Sequence, residues 1–297
     1  MDSIQEDEFF WRYSFRFINS RRNSLPLLLF LNFIFIDPRL TDFRGIDLFK
    51  EEARVLTQLE MLSGGLFQLR DDIPTMIQSE KRMIFISENK RITGLLLSNM
   101  DLKEIPASIG NIKSLEYLDL SFNDLKKLPD TIGNLKSLKE LNLEDNHLTE
   151  LPYTIGDLAS LHTLNVSANK LTTLPESFGD IGSLASIHQD DIFYFPKSER
   201  ECVKLRMILE EFSKPTSCLE LLDLSENRLK KLPDSVGKLI SLRQLYLSLN
   251  NLKSLPKTFQ NLISLEALDL SFNNIKTPPK SIKELEMLKM VNIRGNK

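Results

Sequence analysis

The chain has few of the residues that build catalytic and metal centres. Its 297 residues include three histidines, two cysteines, one tryptophan and eleven glycines. The sequence contains no phosphate loop of the form G-x-x-x-x-G-K-[ST], no G-x-S-x-G elbow and no G-x-G-x-x-G fingerprint. None of the histidines (His147, His162 and His188) shares a metal-ligand spacing with a cysteine. We therefore expect a protein that is not an enzyme and that has no cofactor, metal or small-molecule substrate.

The low cysteine content and the balanced charge argue against two further classes. Cys202 and Cys218 form no dense disulfide framework and lie at neither end of the repeated region described below, whereas extracellular repeat arrays usually carry cysteine-rich caps. A formal net charge of −3 lacks the clustered excess of Lys and Arg that nucleic-acid binding requires. We expect a cytoplasmic protein that does not bind nucleic acid.

The sequence also lacks an obvious membrane span. A twelve-residue apolar run at 25–36 follows Arg21-Arg22, and as a helix it would rise about 18 Å, less than the bilayer core of about 30 Å. The acidic start, MDSIQEDE, and the lack of a small-residue cleavage site after Ile36 argue against a signal peptide. Membrane contact through 25–36 is not expected. The alternatives for residues 1–45 are disorder and a hydrophobic leader, which would make the protein secreted or membrane-anchored.

What the chain has in abundance is a repeated unit, of which one copy is LSFNDLKKLPDTIGNLKSL. Six near-complete copies fall into two groups with a constant spacing of about 23 residues, and their first leucines are Leu115, Leu138, Leu161, Leu219, Leu242 and Leu265. Weaker copies open at Ile92 and Leu288. The shared pattern is L-x-x-L-x-L-x-x-N-x-L-x-x-L-P-x-x-I-G-x-L-x-S, which is typical of leucine-rich repeats.

Each part of the repeat predicts a local structure. In LEYLDLSFN, inward leucines alternate with outward residues, which predicts a short strand. The asparagine that ends the strand should bond backbone groups that the turning chain leaves unpaired. Its positions are Asn123, Asn146, Asn169, Asn227, Asn250 and Asn273. LPDTIGNL predicts a short helical turn that begins at Pro129 and ends at Gly133.

A single copy buries too little apolar surface to offset the entropy of ordering its backbone and side chains, so the copies must stack. We therefore predict an α/β fold, a curved leucine-rich-repeat solenoid over residues 92–297. A parallel sheet would form its concave side and short helical turns its convex side.

Two segments depart from the repeat. Residues 46–91 predict a helix and then a hairpin, which would cap the first repeat; the alternative is a dedicated N-terminal module. The interval from Leu184 to Cys218 predicts a degenerate repeat with an inserted helix at 197–212. Partner binding, a tolerated insertion and an error in the gene model are the alternatives there. The last copy stops at Lys297, which favours a truncated sequence or burial of that edge by a partner or a second copy.

The concave surface is the candidate binding site. Counted from the first leucine, the fifth position reads Leu96, Asp119, Asn142, Asn165, Asp223, Tyr246, Asp269 and Asn292. It holds acids and amides but no base, and Tyr117 and Glu140 stand beside it. We predict that it binds a basic or amide-rich protein surface that packs on Tyr117 and Tyr246. The alternative is that Asp after Leu is a common choice in such strands. The second position alternates in charge, so its side chains should pair along the sheet.

The stretch LPDTIGNLKSLKELNLEDNHLTELP resembles the Ras-group class of intracellular leucine-rich-repeat proteins. This class includes Ras-suppressor-type scaffolds, plant intracellular Ras-group proteins and similar arrays in plant disease-resistance proteins. The resemblance covers residues 92–183 and 219–297. It implies protein–protein recognition, often of small GTPases or their effectors, and hence a non-catalytic scaffold in intracellular signalling. The alternative is a regulatory or substrate-recognition fragment of a larger signalling or ubiquitin-ligase protein.

Overall fold

The computed structural model describes residues 39–70, 83–182, 217–277 and 280–296. The apolar run at 25–36 and the predicted helix at 197–212 lie outside these ranges. Residues 41–297 form one compact unit. Within the described residues, no helix combines the length and the hydrophobicity needed to cross a membrane.

The described residues form one α-helix, twelve strands and a series of 3-10 turns. The helix α1 spans Lys50–Ser63. The strands are β1 Leu40–Phe43, β2 Ile46–Phe49, β3 Phe67–Arg70, β4 Met83–Glu88, β5 Arg91–Leu96, β6 Tyr117–Asp119, β7 Glu140–Asn142, β8 Thr163–Asn165, β9 Leu221–Asp223, β10 Gln244–Tyr246, β11 Ala267–Asp269 and β12 Met290–Asn292. The 3-10 turns are Ala107–Asn111, Asp130–Asn134, Tyr153–Asp157, Glu176–Asp180, Asp234–Lys238, Lys257–Asn261 and Lys280–Glu284.

Ten strands form one sheet in the order β3 to β12. Each strand from β5 to β12 belongs to one repeat, which we call a layer. The strands of consecutive layers pair in parallel. Equivalent positions of the repeat lie opposite each other, so that Leu118 faces Leu141. The inward aliphatic residues from the β5 to the β11 layers, together with convex residues such as Ile132 and Leu135, are buried in one continuous core, whereas Val291 and Ile293 of the β12 layer are partly exposed. The predicted solenoid with a parallel concave sheet is confirmed.

A buried asparagine closes the turn of each regular layer. The Nδ2 group of Asn123 donates to the carbonyls of Leu97 (2.8 Å) and Leu120 (3.0 Å). Its Oδ1 accepts from the backbone N–H groups of Met100 and Leu102, both at 3.0 Å. The equivalent residues, each bonded to the preceding layer, are Asn146, Asn169, Asn227, Asn250 and Asn273. One side chain per layer therefore satisfies backbone groups of its own layer and of the one before.

The reason that glycine recurs in the convex turns differs from the one predicted. Pro129 precedes the 3-10 turn rather than beginning it, and Gly133 lies inside the turn, so the prediction that these glycines serve as helix ends is wrong. A Cβ on Gly133 would lie 2.4 Å from the carbonyl oxygen of Thr154 in the next layer. The same close approach occurs at Gly110, Gly156, Gly179 and Gly237. At these five positions the neighbouring turn lies too close for a side chain, whereas the turns Lys257–Asn261 and Lys280–Glu284 carry Gln260 and Lys283 there.

The helix α1 and the strand β4 lie against the first layer. β4 pairs with β5 in an antiparallel hairpin whose turn residues, Asn89 and Lys90, have φ of 49° and 67°. Leu48, Leu56 and Leu59 are fully buried in the common core. These contacts support the proposal that the region predicted at 46–91 is a cap, because they cover the edge that the first repeat would otherwise expose.

A buried carboxylate fastens α1 to β5. Glu52 is 1% exposed, lies 2.9 Å from Nη1 of Arg91 and accepts the backbone N–H of Ile92 at 2.8 Å. The Arg91 guanidinium also stacks over the ring of Phe49, at 3.4 Å from the centroid. Both charged groups are therefore compensated where the helix meets the sheet.

The strands on either side of the interruption are neighbours in the sheet. β8 pairs directly with β9, with Leu164 opposite Leu222, and Nδ2 of Asn227 donates to the carbonyl of Val166 at 2.9 Å, as between regular layers. The predicted degenerate repeat at 184–218 lies, apart from Ser217 and Cys218, outside the described residues.

The two ends of the interruption meet. The backbone N–H of Cys218 donates to the carbonyl of Gly182 at 3.0 Å. Gly182 has φ of 70°, and a Cβ there would lie 2.7 Å from that same nitrogen. Sγ of Cys218 donates to the carbonyl of Leu161 at 3.4 Å. In a regular repeat the equivalent bond is made by serine, as when Oγ of Ser114 donates to the carbonyl of Ile92 at 2.9 Å. Cys218 thus takes the serine position of a normal repeat, and residues 183–217 are inserted between Gly182 and Cys218.

Glu52→Ala should destabilise the protein by about 2–3 kcal/mol, because it leaves the Arg91 charge and the Ile92 N–H without their partner. Glu51→Ala is the matched control, since Glu51 is exposed and pairs only with Arg54 on the same helix; we expect a change of about 0.5 kcal/mol or less. Urea denaturation of the full chain measures both. Equal stability of the two variants would contradict the role assigned to Glu52.

Deletion of residues 183–217, which joins Gly182 to Cys218, should leave the solenoid folded. The deletion gives Leu161 and Leu219 the same separation along the chain as Leu138 and Leu161, so the cooperativity of unfolding, followed by circular dichroism during urea denaturation, should be retained. A deletion of equal length at 172–206 removes the turn Glu176–Asp180 and should abolish cooperative unfolding. Loss of cooperative unfolding in the first variant would show that the insertion is needed to join the layers.

Candidate protein-binding face

The sheet brings the predicted site residues into one row on the concave side. Successive members of the fifth position are partners in the register of neighbouring strands: Leu96 with Asp119, Asp119 with Asn142, Asn142 with Asn165, Asn165 with Asp223, Asp223 with Tyr246, Tyr246 with Asp269, and Asp269 with Asn292. Tyr117 and Glu140 are partners in the row beside it. All eight predicted binding residues therefore lie on a continuous surface.

Most acids and amides of this row have a structural role. Oδ1 of Asp119 accepts the backbone N–H of Ser121 at 2.9 Å and its hydroxyl at 2.6 Å. The same backbone bond, two residues along the chain, is made by Asn142, Asn165, Asp223, Asp269 and Asn292. Because an Asp or Asn accepts this bond in six of the eight layers, the frequency of these residues in the row has a structural explanation. The hydrogen bond needs only the oxygen acceptor, so it does not explain why three of the six residues carry a negative charge.

The negative charge of the row gathers around Glu144, which the sequence reasoning missed. Burial raises the pKa of Glu144, and the charges of Asp223, Asp145 and Asp119 raise it further, against a hydrogen bond from Asn165 that lowers it. That bond joins Nδ2 of Asn165 to Oε2 of Glu144 at 3.2 Å. We call Asp119, Glu144, Asp145 and Asp223 the acidic patch. Glu144 occupies a position of the repeat at which most other copies have serine. This difference from the other copies is the sequence feature from which Glu144 could have been identified.

The two tyrosines lie at separate points along the face. Tyr117 is half-buried against Ile84, Ile86 and Leu96. Its burial, followed by the charges of Asp119 and Glu140, raises its pKa to about 12, so its phenol stays a hydrogen-bond donor at neutral pH. Tyr246 lies four layers further on, about 19 Å at a strand spacing of about 4.8 Å, and its hydroxyl donates to Oε1 of Gln244 at 3.0 Å. The tyrosines can contact different parts of one extended partner.

The second position pairs along the sheet as predicted. Nζ of Lys139 lies 2.6 Å from Glu116, and Glu266 accepts from both Arg243 and Lys289. Hydrogen bonds from Lys289 and Arg243 lower the pKa of Glu266. Each of these three cations is therefore paired with a carboxylate in a neighbouring layer at the same position of the repeat.

The sequence matches two family models of the same repeat. The model described as "Leucine rich repeat" matches residues 82–148 and 217–275. The model described as "Leucine Rich repeats (2 copies)" matches residues 136–178. Together the matches cover more than half of the chain. The gap between them contains the insertion, in agreement with the direct pairing of β8 and β9.

Two solved structures are similar to this chain over about half of their own length. A leucine-rich-repeat protein of Leptospira interrogans is 34% identical, with a TM-score of 0.46, over 68% of this chain and 48% of that one. An internalin of Listeria monocytogenes is 17% identical, with a TM-score of 0.42, over 64% of this chain and 51% of that one. A comparison with curated proteins found no match.

Asp223→Ala should lower the free energy of unfolding by about 1 kcal/mol, because the N–H of Ser225 loses its acceptor. Asp223→Asn keeps that acceptor, as the natural asparagines at 142 and 165 do, and should leave the stability unchanged to within about 0.5 kcal/mol. Urea denaturation at neutral pH distinguishes the two. If Asn and Ala destabilise equally, the charge rather than the hydrogen bond supports the strand end.

Proposed function

Because the chain belongs to the leucine-rich-repeat proteins, whose solenoids present extended binding surfaces, we propose that it is a non-catalytic scaffold that binds a protein partner on its concave face. The partner surface is basic. The observation that carries this proposal is the acidic patch, in which partial burial first, and then the charges of Asp223, Asp145 and Asp119, raise the pKa of Glu144.

Three features favour a basic protein segment as the ligand. Carboxylates that lie close together on a folded surface repel each other, and bound cations reduce this repulsion. A basic partner therefore gains affinity from the arrangement. Tyr117 and Tyr246 supply aromatic side chains that protein interfaces use as anchors. The length of the row, about 19 Å between the tyrosines, suits an extended segment better than a small molecule.

The finer part of the proposal follows the resemblance to the Ras-group class. We propose that the protein acts in the cytoplasm in signal transduction, with a small GTPase or its effector as the partner. A regulatory or substrate-recognition fragment of a larger signalling or ubiquitin-ligase protein would use the same face, so the binding experiment below applies to both. Identification of the partner decides between them.

Tyr246→Ala combined with Asp223→Ala should weaken binding to a partner isolated by affinity purification and mass spectrometry. Loss of a buried aromatic anchor costs about 2 kcal/mol or more, which is about thirtyfold in affinity. Tyr153→Ala is the matched control, since Tyr153 is 70% exposed and belongs to a convex turn. Titration calorimetry with the purified partner measures all three proteins.

The charge contribution is tested with Asp119→Asn, Glu144→Gln and Asp223→Asn together, a variant that keeps the hydrogen-bond acceptors at the strand ends. It should bind at least about tenfold more weakly at low ionic strength and lose most of its dependence on salt. Unchanged affinity in both this variant and the Tyr246 variant would exclude the concave face as the binding site.

A further inference from the structure

The turn after each strand places one residue per layer in the left-handed region. This is the eighth position of the repeat, where φ is 56° at Asn99, 48° at Asp145 and 54° at Glu226. The N–H group of this residue bonds the next layer, as that of Glu226 does with the carbonyl of Ser248 at 2.9 Å. The fold therefore imposes a positive φ at this position, and such a φ favours Gly, Asn and Asp.

Three layers carry a bulky apolar residue there instead. Phe122, Leu249 and Phe272 have φ of 55°, 55° and 54°, and they are 43%, 48% and 57% exposed. A positive φ costs free energy for Phe and Leu, and because these side chains are partly exposed, burial in the core does not offset that cost. Exposed apolar side chains on a disfavoured backbone are explained if they contact something outside the chain.

Leu249 and Phe272 form one apolar surface, which we call the rim patch. Their layers are consecutive, since the N–H of Leu249 donates to the carbonyl of Ser271 at 3.0 Å, directly before Phe272. The Phe272 ring rests on Gly295 in the following layer, where a Cβ would lie 2.6 Å from the ring. One face of the Phe272 ring therefore packs against Gly295, and much of the rest of the side chain is exposed to solvent.

The same position is acidic in two of the middle layers. It holds Asp145 in the β7 layer and Glu226 in the β9 layer, and both are exposed. Asp145 belongs to the acidic patch, and Ala168 lies between the two acids, in the β8 layer. Exposed apolar residues flank these layers, with Phe122 alone on one side and the two adjacent residues of the rim patch on the other. From Asp145 to Phe272 the distance is four layers, or about 19 Å, which about six residues of extended chain span.

We propose that the rim patch binds a large apolar side chain of a partner segment whose basic residues lie against the acidic patch. The segment is extended, with Lys or Arg over the β7 to β9 layers and Leu, Phe, Tyr or Trp over the β10 and β11 layers. This inference rests on the proposed function of the concave face. It adds a second chemical requirement, a large apolar side chain for the two adjacent residues of the rim patch, to the basic residues that the acidic patch requires.

The experiment selects ligands from a random dodecapeptide library displayed on phage, with the full chain as the target. The test variant carries Leu249→Asn and Phe272→Asn. Asparagine suits a positive φ and already occupies this position at Asn99, so the melting temperature of the variant should equal or exceed that of the wild type. Ile263→Asn is the control. Ile263 is 62% exposed, but it precedes β11, whereas Phe272 follows that strand.

Peptides selected on the wild type should contain both basic and large apolar residues, and should bind the Leu249/Phe272 variant at least about tenfold more weakly by fluorescence anisotropy. The Ile263 variant should bind them unchanged. Selected peptides that are basic only, or that bind the Leu249/Phe272 variant equally well, overturn the rim proposal while leaving the acidic face in place. Peptides whose affinity is also insensitive to Asp119→Asn, Glu144→Gln and Asp223→Asn overturn the proposed function itself.

Discussion

The architecture depends on the buried asparagine that joins each layer to the one before. Nδ2 of Asn146 donates to the carbonyl of Leu120 at 2.9 Å, and its Oδ1 accepts the N–H of Leu125 at 3.0 Å. Both backbone groups belong to the preceding layer and would otherwise lie unpaired beside an apolar core, which is costly. The asparagine therefore sets the turn and the layer spacing together, and the rows of the concave face inherit that spacing.

This constraint separates structural from functional features of the concave face. An Asp or Asn at the fifth position is explained by the strand end that it closes, and a glycine on the convex side is explained by the next layer. Neither constraint explains Glu144, Tyr246 or the exposed apolar residues Phe122, Leu249 and Phe272. Of these, Glu144, Tyr246 and the rim patch are the ones that we propose a partner contacts.

The sequence was sufficient to predict the solenoid and the concave row, because a strict repeat period maps equivalent positions onto neighbouring strands. Linear spacing could not show whether the extra residues before Cys218 form a layer, since that depends on whether β8 and β9 meet. The reason for Gly133 was also hidden, because the clash involves Thr154 in another layer. Glu144 was overlooked because its raised pKa arises first from its partial burial in the fold and then from charges in three layers.

Amide hydrogen exchange tests the continuity of the layers most directly. The N–H of Leu171 donates to Oδ1 of Asn227 at 2.9 Å across the insertion, and the N–H of Leu148 donates to Oδ1 of Asn169 at 2.9 Å between layers of regular spacing. If the stacking is continuous, the two amides should be protected to a similar degree. Rapid exchange at Leu171 with strong protection at Leu148 would show that the solenoid is broken at the insertion and would contradict the single concave face.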